Sequence, residues 1–293
     1  MAEGFDAGAA LRAGLGDRRQ AWEFIRRFAA EWVAPLAPGD GVSRDTWRAA
    51  EQHIGAELPA ALREAYLLFG RRPDLTARQD RLVPPRELGF DDSGTTVVFR
   101  VENQYCAEWG VATADLASAD PPVYVRDRSR GGWGPFLDRV SVACAEMVLS
   151  EVLLGAGKLG NACPLPGELI TVVESAYKQM ALPEYPLWTG NGITMRWFSA
   201  PGKLLRMEGR GSYCWLFARG RTPADLESIC TTIPGPWVSA QGTREISDLP
   251  HDHLCEQAQP PAPQRPDALA PLPHSTTCPL MRETSRLPLV SHM

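Results

Sequence analysis

The sequence predicts an α+β fold in which helices pack against a twisted, mainly antiparallel β-sheet, and two observations support this prediction. Apolar residues recur at helical spacing before residue 70 and again after residue 140, whereas the segment between them alternates with the period of β-strands. The strands predicted there follow one another too closely to leave room for crossover helices, which parallel strands require. A chain of 293 residues is long enough to bury the core of such a fold.

The first predicted helix runs from Asp17 to Trp32. Its apolar stripe includes Trp22, Ile25 and Phe28, and charged residues occupy the positions between them. Pro35 follows shortly after and ends the helical pattern. The segment 1–42 is therefore predicted to be an N-terminal helical extension.

A second helical segment, WRAAEQHIGAELPAALREAYLLFG from Trp47 to Gly70, is interrupted by a glycine and a proline. We expect Asp45 to cap the first half and Gly55 to close it in the left-handed conformation. Pro59 suits the first turn of the second half, where its missing N–H leaves no hydrogen bond unmade. The segment thus predicts two helices joined by a tight corner.

Three short segments then have the pattern of strands: TTVVFRVENQ, CAEWGV and PPVYVRD. A further helix is predicted from Ser141 to Leu154. After it, MRWFSA and YCWLFARG are expected to pair as antiparallel strands across the connection 201–212, and Thr222 is expected to cap a last helix. Beyond about Leu249 the chain is rich in proline and lacks an apolar pattern, so 249–293 is predicted to be a disordered tail.

Motifs that could support catalysis or cofactor binding have the wrong context. Gly155–Gly160 reads G-x-G-x-x-G, but a predicted helix precedes it, whereas a dinucleotide site needs a strand there, so helix termination is expected. His251, Asp252, His253 and Cys255 lie in the predicted tail, where nothing would hold metal ligands in place. No catalytic residue, cofactor or metal site is predicted.

Composition and charge narrow the possible partners and the location. The formal net charge of −5 argues against nonspecific nucleic-acid binding, although Arg126, Arg128 and Arg130 form a basic hairpin tip beside Trp133. The N-terminal residues show no signal-peptide pattern, and no apolar stretch is long enough to span a membrane. The seven scattered cysteines have no C-x-x-C spacing and indicate reduced thiols, so we expect a cytoplasmic protein.

The corner segment also carries a family resemblance. The pattern W-x(6)-I-G-x-x-L-P-x-x-L-R-x-x-Y, which begins at Trp47 and ends at Tyr66, resembles the start of the SMI1/KNR4 (SUKH) superfamily. The resemblance continues through VVFRVENQ, Trp109-Gly110-Val111, the turn at 120–123 and the helix at 141–154, and it covers roughly 44–160. On this basis 43–160 is predicted to be the family's core, with 161–248 as a C-terminal extension of the same domain.

The resemblance implies helices packed on a twisted antiparallel sheet and a function in protein binding rather than catalysis. Bacterial members are implied to be immunity proteins that neutralise toxin domains of polymorphic toxin systems. Fungal members are implied to be regulatory scaffolds in cell-wall and stress signalling. The sequence departs from the family at 68–88, where the segment between helix and sheet is longer than usual.

An immunity protein that binds a toxin effector domain is therefore the first functional hypothesis, and a regulatory scaffold is the alternative. An acidic sheet face would suit a basic toxin, because opposite charges speed the encounter of two proteins. The predicted partner-binding residues are acids and an aromatic residue expected to be exposed near the sheet: Asp91, Asp92, Glu102, Glu108 and Trp109. Trp109 could equally belong to the core.

Overall fold

The structure is a computed structural model that describes residues 5–12, 15–155, 157–188, 192–210 and 213–238. These residues form an α+β fold with two antiparallel sheets, so the predicted fold class is confirmed, although the sequence predicted a single sheet. The predicted disordered tail and its residues His251, Asp252, His253 and Cys255 lie outside the described residues.

Eight helices lie in the described part of the chain: α1 (Ala7–Arg12), α2 (Arg18–Trp32), α3 (Arg44–Ile54), α4 (Ala60–Phe69), α5 (Pro73–Thr76), α6 (Val140–Leu153), α7 (Gly167–Ala176) and α8 (Pro223–Thr232). The first sheet has six strands: β1 (Asp80–Leu82), β2 (Gly89–Phe90), β3 (Thr96–Glu102), β4 (Ala107–Ala112), β5 (Val123–Asp127) and β6 (Gly134–Leu137). The second sheet has six more: β7 (Gly160–Pro164), β8 (Lys178–Gln179), β9 (Tyr185–Pro186), β10 (Thr194–Ala200), β11 (Lys203–Arg210) and β12 (Tyr213–Gly220).

The strand order follows the chain closely in the first sheet and less closely in the second. The first sheet has the order β1-β3-β4-β5-β6, with β2 also paired to β3. The second has the order β7-β12-β11-β10-β8, with β9 also paired to β10. Both sheets therefore consist mainly of antiparallel neighbours joined by short turns, as the close spacing of the predicted strands required.

Helix α6 forms the centre of the fold, because all fourteen of its residues are buried. It contacts α2, α4 and α5 as well as β6 of the first sheet and β12 of the second. A helix that is apolar nearly all round needs neighbours on every side. The largest buried cluster accordingly takes residues from the N-terminal helices and from both sheets. The division of the chain at 42, 160 and 248 remains a prediction.

The corner between α3 and α4 confirms one predicted signal and shifts the other by one residue. Gly55 has a φ of 75° and ends α3 in the left-handed conformation, as predicted, whereas Pro59 is the N-cap residue of α4 and lies just before the first turn. The predicted N-cap Asp45 is wrong, because Ser43, two residues earlier, accepts the hydrogen bond from the backbone N–H of Thr46 and caps α3.

Aromatic packing holds the two helices of this corner together and joins them to the sheet. The rings of Trp47 on α3 and Tyr66 on α4 lie 5.2 Å apart. The Tyr66 hydroxyl donates a hydrogen bond of 2.5 Å to the backbone carbonyl of Val83, next to β1. The corner is therefore a packed unit, fixed to the edge of the first sheet.

The predicted pairing in the second sheet is wrong in one respect. The segments MRWFSA and YCWLFARG do form strands, but β11 lies between them and pairs with both. Most of the predicted connection 201–212 is therefore itself a strand, β11. At its end the predicted helix start is confirmed, since Thr222 and Asp225 form a reciprocal capping box at α8.

The conformation of Gly55 predicts a cost for any side chain at that position. Gly55→Ala should lower the free energy of unfolding by about 1 kcal/mol, because alanine disfavours positive φ, even though the space around the glycine is open. Gly89→Ala is the matched control, because Gly89 has equally open space and no positive φ, and it should change stability little. Urea unfolding of both variants measures the difference; equal effects would contradict this explanation.

Candidate functional site

The five predicted partner-binding residues do not form an exposed face. Asp91, Glu102, Glu108 and Trp109 are buried, and Asp92 alone among them is exposed. The expectation that they are exposed is therefore wrong for four of the five. Each buried member has a partner within the fold that explains its position.

Asp91 lies in the turn before β3 and organises that turn. Its carboxylate accepts hydrogen bonds from the backbone N–H groups of Thr95 and Thr96, from the Ser93 hydroxyl and from Trp133 Nε1. Burial by itself raises the pKa of Asp91, but these hydrogen bonds outweigh it and lower the pKa to about 2. The carboxylate therefore stays charged at neutral pH, and its hydrogen bonds stabilise the turn before β3.

Glu108 compensates the basic hairpin tip. Because Glu108 on β4 lies opposite Arg126 on β5, their side chains meet on one face, with a closest N···O distance of 2.6 Å. Arg128 lies 3.4 Å from the same carboxylate, and the Arg126 guanidinium sits 5.0 Å from the centre of the Trp133 ring. Arg126 and Arg128 were considered for a nucleic-acid contact, and Glu108 was predicted to contact a toxin. In the structure the two arginines pair with this glutamate.

Glu102 and Trp109 also have structural partners. One carboxylate oxygen of Glu102 accepts hydrogen bonds from the backbone N–H groups of Gln104 and Cys106 and so shapes the β3–β4 hairpin. Trp109 packs edge-on against Phe136 and lies beneath the Arg100 guanidinium, 4.5 Å from the ring centre. Trp109 is therefore a core residue.

A buried ionic cluster that the sequence did not predict lies between the two sheets. Arg100 of β3 donates to Asp80 of β1 at 2.5 Å and to Glu146 of α6 at 2.8 Å. Glu151, one turn further along α6, lies 4.0 Å from the same guanidinium. All four side chains are almost completely inaccessible to solvent.

Hydrogen bonds extend this cluster into the second sheet. The other oxygen of Glu146 accepts hydrogen bonds from the hydroxyl groups of Ser150 and Tyr185. The Ser150 oxygen in turn accepts a hydrogen bond from Arg206 on β11, which also pairs with Glu208. A continuous polar chain therefore runs from β1 and β3 through α6 to β9 and β11.

A cavity of about 60 Å³ lies within this cluster. Three buried donors of its lining residues have no hydrogen-bond acceptor among the described residues: Arg100 Nε, Arg206 Nε and Trp109 Nε1. This space is large enough to hold water. Water can both accept from these donors and donate to the neighbouring carboxylates, so the site favours neutral polar occupants over ions of either sign.

Burial of the cluster raises the pKa values of two of its acids, and the charges of neighbouring acids add to the effect. Burial raises the pKa of Glu151 to about 7, and the charge of Asp80 adds to the effect, whereas Arg100 and the N–H groups of Gln79 and Asp80 oppose it. Burial likewise raises the pKa of Asp80, against the opposing effect of Arg100. The folded protein therefore retains a proton in this cluster at pH values at which the unfolded chain has lost it.

The remaining motifs have structural roles or lie apart from any site. Helix α6 ends before Gly155 and β7 begins at Gly160, so the glycine motif follows a helix and precedes a strand, as expected for helix termination. Cys144, Cys163 and Cys214 are buried thiols, and burial raises their pKa values, to about 12 for Cys163 and about 11 for Cys214.

Within the described ranges, no group of three or more histidine, cysteine or acidic side chains is placed to hold a metal ion. None of the helices in those ranges is both long and apolar enough to cross a membrane. Comparisons of the chain with protein-family models, with curated proteins and with solved structures found no match.

The proton held by Asp80 and Glu151 predicts a pH dependence of stability. An acid whose pKa is raised by folding stabilises the native state at low pH, and this contribution is lost as pH rises towards the folded pKa. The free energy of unfolding should therefore fall between about pH 4.5 and pH 7, by up to about 1.4 kcal/mol per pH unit for one proton.

Asp80→Asn should flatten this slope, because it removes one acid and lowers the pKa of Glu151, while its amide oxygen can still accept from Arg100. Urea unfolding at pH 5, 6 and 7 measures the slope. Asp91→Asn is the control, since a group with a pKa of about 2 does not titrate in this range. If the Asp80→Asn and wild-type slopes were the same, the assignment of the proton to this pair would be wrong.

Proposed function

We propose that the protein is a non-enzymatic protein-binding module of the SMI1/KNR4 type, and that it acts as a cytoplasmic immunity protein that binds and neutralises a toxin domain. The observation that carries this proposal is the α3–α4 corner. Most residues of the family-like pattern have a defined role there: Trp47 and Tyr66 pack on each other, Gly55 ends α3, and Leu58, Pro59 and Leu62 are buried.

The order of elements also supports the proposal. The segments that carry the resemblance fall on α3, α4, β3, β4, β5 and α6, in that order along the chain. The fold class they belong to, helices with antiparallel sheet, is the one that the resemblance implies. The resemblance concerns 44–160, and the second sheet is an addition to it.

A binding function suits the rigidity of this scaffold. The polar chain through Glu146 fixes α6 to both sheets, and the aromatic contact of Trp47 and Tyr66 fixes the corner. A preformed surface loses little conformational freedom on association, and more of the contact energy then appears as affinity. Neutralising a toxin by occupying its active site or substrate surface needs shape and affinity, and it needs no reactive group.

Most of the acids predicted to bind the partner are buried, so substitutions at these positions cannot test partner binding alone. Charge reversal at Asp91, Glu102 or Glu108 would break internal ion pairs or turn contacts and would report on folding. Asp92 and its neighbour Phe90 are exposed, so Asp92→Lys and Phe90→Ser probe the same face without disturbing the interior.

Protection against a toxin tests the proposed function directly. The full chain is co-expressed with a candidate toxin domain from a gene found beside its own, and survival of the host is compared with that of cells carrying the toxin alone. We expect full protection and a stable complex of the two purified proteins. Failure to protect and failure to bind would together contradict the proposal.

Removal of residues 249–293 separates immunity from the alternative, a regulatory scaffold. The proline-rich composition of this segment is typical of partner-binding arms in signalling proteins. An immunity protein that binds through its folded part should protect equally well without it. A scaffold should lose its partners, which co-purification of the full and shortened chains from the native cell would reveal.

A further inference from the structure

A groove with a volume of about 500 Å³ lies on the outer side of the α3–α4 corner. Leu67 is partly exposed and contributes apolar surface to it, and the buried Trp47 lies beneath this surface. The charged lining residues are three arginines and two glutamates: Arg44, Arg48, Arg63, Glu51 and Glu64. The groove therefore combines an apolar part with charged groups along its sides.

The two glutamates are already engaged within the protein. Glu51 accepts a hydrogen bond from the backbone N–H of Leu58 at 3.1 Å. Glu64 accepts hydrogen bonds from Arg18 and from Trp22 Nε1, the latter at 2.7 Å. Their negative charge is thus directed towards α2 and the corner, and it does little to neutralise the arginines of the groove.

The three arginines, in contrast, are exposed and largely available. The side chains of Arg44 and Arg63 form no hydrogen bond or ion pair with any other described residue. Arg48 pairs with Asp45 alone, at 3.1 Å, in a contact where both side chains are mostly exposed. Such exposed pairs contribute little free energy, so a better acceptor can replace the Asp45 carboxylate.

Trp47 lies beneath the surface of the groove. It is only 1% exposed, and its indole Nε1 is buried without a hydrogen-bond acceptor in the described residues. A ligand in the groove therefore cannot reach this donor, but charges bound above it change the environment of the indole, so Trp47 serves as a reporter of binding.

We propose that this groove binds an acidic segment of the partner protein, with carboxylates paired to the arginines and an apolar side chain against Leu67. The inference rests on the proposed function, and it names the chemistry of the contact. Arginine pairs with carboxylates through two parallel hydrogen bonds, which gives both affinity and orientation.

The charge distribution favours an acidic protein segment over a nucleic acid. The whole chain carries a formal net charge of −5, so a long polyanion would be repelled beyond the groove. Nucleic-acid surfaces usually extend basic residues along a stripe that follows the phosphates. Here Asp45 and Glu57 are exposed near the same helices, which limits the positive surface to a short segment.

A peptide titration tests the groove without knowledge of the partner. The probe is a fluorescent six-residue peptide of alternating glutamate and leucine, with a glutamine-leucine peptide as its neutral match. Fluorescence anisotropy gives the affinity for the full-length protein. The indole N–H resonance of Trp47, assigned by its loss in Trp47→Phe, reports contact at the groove.

We expect the acidic peptide to bind and shift the Trp47 indole resonance, and the neutral peptide to bind at least tenfold more weakly. Arg44→Gln, Arg48→Gln and Arg63→Gln combined should weaken binding of the acidic peptide at least tenfold. The control combines Arg19→Gln, Arg26→Gln and Arg86→Gln, which removes the same charge from exposed positions outside the groove and should retain wild-type affinity. Thermal unfolding of both triple variants checks that they fold.

Several outcomes would overturn the inference. One is equal loss of binding in both triple variants, which would indicate general charge attraction; another is an undisturbed Trp47 resonance. Tighter binding of a six-nucleotide single strand would assign the groove to nucleic acid, and complete competition by inorganic phosphate at the same concentration would indicate an adventitious ion only.

If the groove variant still protects against the toxin as well as wild type, the groove inference fails while the proposed function stands. If the wild-type chain gives no protection but binds the acidic peptide as expected, the proposed function fails instead.

Discussion

The carboxylate of Glu146 connects the two halves of the fold. It lies in the middle of α6, a helix with no exposed residue, so its charge must be compensated inside the protein. Arg100 of the first sheet donates to one of its oxygens, and Tyr185 of the second sheet donates to the other. Because both contacts depend on the same carboxylate, the rotation of α6 and its position between the sheets are set together.

The ionic cluster around Arg100 places several acidic side chains of this protein in the interior. Buried ion pairs gain little net stability over apolar packing, but loss of one partner leaves an uncompensated charge and costs about 3–5 kcal/mol. Burial raises the pKa values of Asp80 and Glu151, so this pair retains a proton instead of carrying two charges. Asp91, in contrast, stays charged because the hydrogen bonds of its turn lower its pKa. Several acids of the chain are thus directed inwards, whereas Arg44, Arg48 and Arg63 remain exposed at the α3–α4 corner.

Local signals allowed much of the fold to be predicted, because they act over a few residues. The left-handed Gly55 and the separate helices of the corner are examples. The strand Lys203–Arg210 was missed because its charged side chains, such as Arg206, are buried and so hide the usual alternation. The candidate site was harder still. Glu108 looked free because its partner Arg126 lies 18 residues away, and only the strand register brings the two together.

The polar chain through α6 also bears on how such a protein could have evolved. If the second sheet were a late addition to a smaller ancestral domain, that ancestor must have satisfied the Glu146 oxygen that now accepts from Tyr185 in another way. Once an added element supplies hydrogen bonds to a buried charge, its loss would leave that charge without a partner and would destabilise the rest of the domain. Gain of the second sheet and acquisition of the buried glutamate would then be coupled steps, and relatives that lack one should lack the other.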